Sequence, residues 1–228
     1  MAIERTYLYG SDAAAAAVKL HDYLSANAVP DYFDSVTLDA ETSTVTCHVG
    51  ALEFLKIKHN IYNAGAISIQ TASGSTLACK ASGSDYNPPV AFYYAFKCAG
   101  GISFAIVASA NVCLTITKDS KGRPAVICYV TNGTHYELAG PTTSSSYRLY
   151  VISPETQELV YKQASVDNSD AQLTAFCPLP VGDTAAYTPD AFLMPYTQFT
   201  GHGVIDVDGC KYLSNGLWCV RDGGVAGE

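Results

Sequence analysis

Gly203-Val-Ile-Asp-Val-Asp-Gly-Cys-Lys-Tyr-Leu-Ser-Asn-Gly-Leu-Trp-Cys-Val-Arg-Asp222 is the most legible stretch of the chain. Two dipeptides in it, Asp208-Gly209 and Asn215-Gly216, are the preferred sequences of two-residue hairpin turns, because both central residues of such turns need positive φ. Their seven-residue separation predicts a three-stranded meander, with strands near Val204–Val207, Cys210–Ser214 and Leu217–Arg221. If both turns are tight, Ile205 lies beside Tyr212 and Tyr212 beside Cys219. Leu213 then pairs with Trp218 on the other face, and Asp206 opposes Lys211 in a charge pair worth a few tenths of a kcal/mol. Trp218, the only tryptophan in the chain, reads here as a packing residue more than as a ligand platform.

Outward from this unit the same period of two recurs. Val45/Cys47/Val49, Ile67/Ile69, Leu77/Cys79, Phe92/Tyr94/Phe96, Ile102/Phe104/Ile106 and Val112/Leu114/Ile116 alternate with small or polar residues, as half-buried strands do. Turn-forming clusters separate them at Asp39–Ser43, Gly74-Ser75, Ser82–Pro89, Gly100-Gly101, Asp119–Gly122 and Asn132-Gly133. Val126–Val130 is apolar throughout and reads as a central strand covered on both faces; Tyr147–Ile152 is a further strand. From Ser153 to Thr200 prolines at 154, 178, 180, 189 and 195 interrupt the pattern, and Asp183–Asp190 reads as a long loop. One helix signal stands apart. Ser11-Asp12 can cap an alanine-rich segment in which Ala13, Ala17, Leu20 and Leu24 share a face, with Pro30 beyond its end. Its apolar stripe is thin, so it must dock on something to be stable. The expected fold is mainly β: an antiparallel sandwich or barrel with one N-terminal helix and a C-terminal three-stranded meander. Its parts are an arm and helix at 1–30, a β domain at 31–152, and a loop-rich crossover with the meander at 153–228, packed on the same body.

The chain has 228 residues, 48% hydrophobic and 15% charged, enough to bury a sizeable core. Net charge is −8, divided as −3 over residues 1–114 (6 basic, 9 acidic) and −5 over 115–228 (7 basic, 12 acidic). With no basic patch to neutralise phosphates, nucleic acid and anionic membranes are poor partners. No apolar run reaches the length of a membrane span, and the N-terminus lacks the basic and apolar regions of a signal peptide. Eight cysteines lie 9 to 49 residues apart without a CxxC pair or a close Cys/His cluster. Zinc therefore has little support, and reduced thiols acting as small hydrophobes are expected. A turn centred on Asp119–Gly122 would set Cys113 opposite Cys128, within reach of contact or, under oxidation, a bridge.

No nucleophile elbow, P-loop or HExxH sequence occurs. Gly201-His202-Gly203 lacks the third glycine and the following helix of a dinucleotide site, and Asp206-Val207-Asp208-Gly209 lacks the later ligands of a calcium loop. His21, His48, His59, His135 and His202 are scattered, and Asn132-Gly133-Thr134 reads as a turn. No catalytic residue, cofactor or metal is expected. Sixteen tyrosines are the more unusual feature, with pairs at Tyr7/Tyr9, Tyr93/Tyr94 and Tyr147/Tyr150. Large contact area with a polar tip suits protein interfaces. The expected contact residues are Tyr7, Tyr9, Tyr93 and Tyr147, with Leu20 and Leu24 of the helix and Trp218 of the meander.

The run Gly203–Asp222 resembles the short β-meander of virion structural proteins of tailed bacteriophages from Gram-positive gut bacteria. Ile116-Thr-Lys-Asp-Ser-Lys-Gly-Arg-Pro124, set among alternating strands, is similar in style. The resemblance covers about a fifth of the chain. It implies a non-enzymatic component of a capsid, connector, tail or baseplate, present in many copies, assembled in the bacterial host cytoplasm and resident in the virion. Its partners would be other copies of itself and neighbouring virion proteins. The alternative reading is a carbohydrate- or cell-surface-binding module, with a glycan stacked on exposed Trp or Tyr; less favoured is a hydrolase using Cys and His.

Overall fold

The computed structural model describes residues 4–60, 63–81, 91–106, 111–131, 136–139, 147–153, 155, 157–162, 177–180, 187–193, 203–207, 209–214 and 218–221. The expected turn at Ser82–Pro89, the Asn132-Gly133-Thr134 turn, His135 and Gly201-His202 lie outside the described residues.

Among the described residues three antiparallel sheets form. In the first, β1 (Glu4–Gly10) is followed across by β7 (Ala91–Cys98), β8 (Gly101–Ile106), β9 (Asn111–Lys118), β10 (Pro124–Thr131), β12 (Tyr147–Ile152) and β13 (Val160–Lys162). The second runs β11 (Tyr136–Ala139), β6 (Thr76–Ala81), β5 (Asn63–Thr71), β4 (Leu52–Asn60), β3 (Thr44–Val49) and β2 (Ser35–Asp39). The third runs β14 (Cys177–Pro180), β15 (Tyr187–Leu193), β18 (Trp218–Arg221), β17 (Cys210–Ser214) and β16 (Gly203–Val207). Each order is open among the described residues, where the expected alternative of a closed barrel is not found.

The one helix among the described residues, α1 (Ala13–Asn27), starts where the sequence signals it. Asp12 is the N-cap, its carboxylate accepting from the Ala15 N–H at 2.8 Å, which satisfies one of the orphan donors of the first turn. Ala13, Ala16, Ala17, Leu20, Tyr23 and Leu24 are buried, and the helix packs on β1 and β7 of the first sheet and on β2–β5 of the second. Leu20 and Leu24, expected to meet a partner, have no exposure at all. They are core residues of this chain because the helix finds its apolar cover within the fold. The expected N-terminal arm is likewise a strand: β1 pairs with β7 from Glu4↔Lys97 to Gly10↔Ala91. Pairing thus runs across residue 30, and β12–β13 pairing runs across residue 152.

Cross-strand registers turn the period of two into layers. On the first sheet, Phe104, Leu114, Cys128 and Tyr150 form one buried row, and Ile102, Ile116, Val126 and Ile152 form the next. On the second, Val45, Ile57 and Ile69 are registered, as are Cys47 and Leu55. All of these belong to one core cluster with the buried face of α1. Residues of opposite parity on the first sheet, Ser103, Thr115, Thr117, Ala125, Ile127 and Val151, are buried too. The central β10 is therefore covered on both faces, as its continuous apolar run implies. The polar members of that second layer bond internally: the Thr115 hydroxyl to Ser103 Oγ at 3.0 Å and the Thr117 hydroxyl to the Gly100 carbonyl at 2.9 Å.

The third sheet is tied to the first through Arg221. Its carbonyl accepts from the Gly100 N–H at 2.8 Å and from the Cys98 thiol at 3.5 Å. The first turn of the meander has the expected register, Ile205↔Tyr212 and Asp206↔Lys211. The second does not: Tyr212 faces Arg221, Leu213 faces Val220 and Ser214 faces Cys219. This two-residue slip lengthens the connection beyond a tight turn while keeping each residue's face. Trp218 is registered with Leu193 of β15 instead of Leu213. Two strands also occupy the proline-rich region read as irregular. Pro178 and Pro180 lie in β14, a sheet edge with a register shift at Pro178/Leu179, and Pro189 lies in β15 beside that shift, where a missing N–H costs least.

The hairpin loop between β9 and β10 also departs from the simplest reading. Five residues, Asp119–Arg123, separate the pair Lys118↔Pro124, so Cys113 is registered with Tyr129 and Cys128 with Leu114. An odd loop shifts the ladder by one, and the two cysteines occupy positions of opposite parity. Asp119 organises the loop. Its buried carboxylate accepts the Lys121 and Arg123 N–H groups at 2.9 and 2.8 Å and the Arg123 Nε at 2.8 Å.

At the end of β1, a Cβ added to Gly10 would lie 2.4 Å from both N and Cα of Ala16. Only glycine lets the strand come this close to the helix. Gly10→Ala is expected to cost about 1–3 kcal/mol, seen as a lower urea midpoint at unchanged m-value; an unchanged midpoint would show that β1 and α1 are not in this contact.

Candidate interaction surfaces

The described residues offer two surfaces and little catalytic machinery. The first surface is the outer edge of the first sheet. β1 is an edge strand among the described residues, and its alternation sends Leu8 and Gly10 inward while Tyr7 and Tyr9 stand out, 63% and 56% exposed. Tyr7 is registered with Tyr94 and Tyr9 with Phe92, so aromatic residues continue across the ladder. Of the other expected contact residues, Tyr93 is registered with Leu8 and Ile106 on β7, Tyr147 with Thr131 on β12, and Trp218 as given above. The side chains of these three lie outside the described part of the structure. Tyr7 and Tyr9 are brought together on one edge; Leu20 and Leu24 are withdrawn from the surface.

The second surface went unrecognised in the sequence. On the solvent side of the second sheet, Thr37, Thr46, Lys56, Gln70 and Thr76 form one register row across five strands. Asp39, Thr44, Lys58 and Ser68 form the next. Together with Leu38, Thr42 and Glu53 they line a groove of about 450 Å³, within the size range of small-ligand sites. Its carboxylates are engaged. Asp39 accepts from the Glu41 and Thr42 N–H groups at 3.0 and 3.3 Å and from the Thr42 hydroxyl at 2.6 Å, and the Thr42 hydroxyl bond above all holds its carboxyl below the usual range. Glu53 pairs with Lys56 at 2.6 Å, and that hydrogen bond lowers its carboxyl likewise.

Nucleophilic chemistry has a weak geometric basis. Ser25 Oγ lies 3.5 Å from His21 Nε2, and His21 Nδ1 lies 3.0 Å from Asp22. All three sit within two turns of α1 itself, with Asp22 well exposed, so the arrangement reads as ordinary helix-surface pairing. The Cys47 thiol is fully buried and desolvation pushes it up, which suppresses the reactive thiolate. Among the described residues no group of three His, Cys, Asp or Glu is placed to hold a metal. No helix among the described residues is long and apolar enough to cross a membrane.

His59 is the one histidine enclosed in the core among the described residues. It follows Leu55 and Ile57 on the inward parity of β4, and its Nδ1 lies 3.3 Å from the Ser43 carbonyl. Desolvation pushes it down to about 4, against the raising effect of that carbonyl. The folded chain therefore keeps His59 neutral where the unfolded chain binds a proton. Its contribution is fully present above pH 6.5 and is lost as pH falls toward 4, by up to about 3 kcal/mol. Urea titrations at pH 7 and pH 5 should show wild-type stability falling by about 2 kcal/mol, and His59→Gln should remove most of that difference. Equal pH dependence in the variant would show that His59 is not enclosed. No protein-family model matches the chain, and neither a curated protein nor a solved structure does so.

Proposed function

We propose that this chain is a non-enzymatic structural component of a tailed-phage virion, acting through self-association and contacts with neighbouring virion proteins. The observation that carries the reading is the pair Tyr7/Tyr9, more than half exposed on an edge strand. An edge strand can accept a second strand alongside it, and tyrosine adds contact area at low entropic cost. The acidic surface and engaged carboxylates fit a packing component better than a phosphate binder or a metalloenzyme. In this reading the first two sheets form a sandwich with α1 laid against both, supported by the single core cluster that they share. That body leaves the edge for assembly, and the protein would reside in the particle after assembly in the host cytoplasm.

Size-exclusion chromatography with light scattering at micromolar concentration should give an oligomer or a complex with a particle protein. The double variant Tyr7→Ser/Tyr9→Ser should weaken it by about 30-fold, as loss of a 2 kcal/mol hot spot does, with unchanged circular dichroism. A homogeneous monomer that binds no particle component would overturn the reading.

A further inference from the structure

The groove on the second sheet lies on a different sheet from the tyrosine edge and takes no part in the assembly reading. We infer that it is a binding site for a neutral polyhydroxylated ligand, a saccharide strand laid across β3, β4 and β5.

Hydrogen-bonding capacity within the groove is divided unevenly. Thr37, Asp39, Thr42, Thr44, Glu53, Lys56 and Thr76 have partners inside the fold. The side chains of Lys58, Ser68, Gln70 and the largely buried Thr46 make no hydrogen bond or ion pair within the described chain; Lys58 adds only a weak attraction to Asp39. These four are neighbours. Thr46 and Gln70 flank Lys56 in one register row, and Ser68 is registered with Lys58 in the next. Strand spacing of about 4.8 Å and a two-residue rise of about 7 Å make this a patch roughly 10 by 7 Å. Two hydroxyls, an amide and an ammonium supply both donors and acceptors there. They stand on a paired sheet that fixes their backbones, and Thr46 has a stiff χ1 angle; Lys58 and Gln70 lose rotamer freedom on binding, which keeps the affinity low.

Charge selects the ligand class. Asp39 and Glu53 balance Lys56 and Lys58, and the whole chain carries −8. An anion is therefore not favoured, and a cation finds both carboxylates already engaged. Leu38 is the single apolar residue in the lining and no aromatic contributes, so flat apolar ligands gain nothing. A sugar, whose hydroxyls both donate and accept, matches what remains. Binding by hydrogen bonds without stacking implies a Kd of roughly 1 mM per site.

The test is a ¹⁵N–¹H correlation titration of the full chain with chitotriose, maltotriose and trigalacturonate. At least one neutral trisaccharide should move amides of residues 37–46, 53–58 and 68–76, saturating in the millimolar range. Ser68→Ala/Gln70→Leu should weaken this about tenfold while leaving the dispersion of the other amides intact; Lys58→Gln is a milder variant expected to weaken it less. Several outcomes overturn the site: no shift in these amides with either neutral sugar, shifts with trigalacturonate alone, perturbation confined to the third sheet, or undiminished binding by the variants.

Discussion

The shared burial of one helix face by two sheets is the constraint on which the rest of the structure depends. α1 contributes only alanines, two leucines and a tyrosine to the core, a stripe too thin to hold a free helix in water. Small side chains are what let it lie close. The Gly10–Ala16 approach brings β1 against the helix, and α1 also packs on β2–β5. The inward rows of both sheets and the helix form one continuous apolar body. Loss of that seat would leave each sheet with an apolar face open to water.

The alternation carried most of the first two sheets into view, because a period of two is visible wherever one face is buried. Val45/Cys47, Ile67/Ile69, Ile102/Phe104 and Leu114/Ile116 all lie on the faces they imply. The misses have local causes. β1 reads Glu-Arg-Thr-Tyr-Leu-Tyr-Gly, and a single inward Leu8 is too little pattern to announce a strand. Prolines hid β14 and β15: Pro178 and Pro180 lie on the outer strand and Pro189 beside the register shift, positions that tolerate residues a fully laddered strand would refuse. Turn residues located the hairpins, but loop length set the registers. The Asn215-Gly216 connection is longer than its dipeptide suggests, and the Asp119 loop has an odd count because one carboxylate organises three donors.

Of the candidate sites, the tyrosine edge was half legible. Tyr7 and Tyr9 alternate with Leu8, so a strand there must expose both, whereas Leu20 and Leu24 gave no sign of whether their cover would come from this chain or another. The polar groove was not legible at all. Thr37, Thr46, Lys56, Gln70 and Thr76 come from five strands, and along each strand they are the ordinary outward residues of a half-solvated sheet. Only the register places them in one row, and only the turns at Asp39–Thr42 and the Glu53–Lys56 pair show which polar groups are already engaged.

The parity of the β9–β10 loop has a chemical consequence. A four-residue turn that paired Lys118 with Arg123 would set two sulfur-bearing positions face to face on a hairpin, a geometry inviting covalent closure wherever the surroundings turn oxidising. With five residues the partner of Cys128 is Leu114 and that of Cys113 is Tyr129. An oxidant therefore finds no cross-strand cysteine pair ready-made in this ladder.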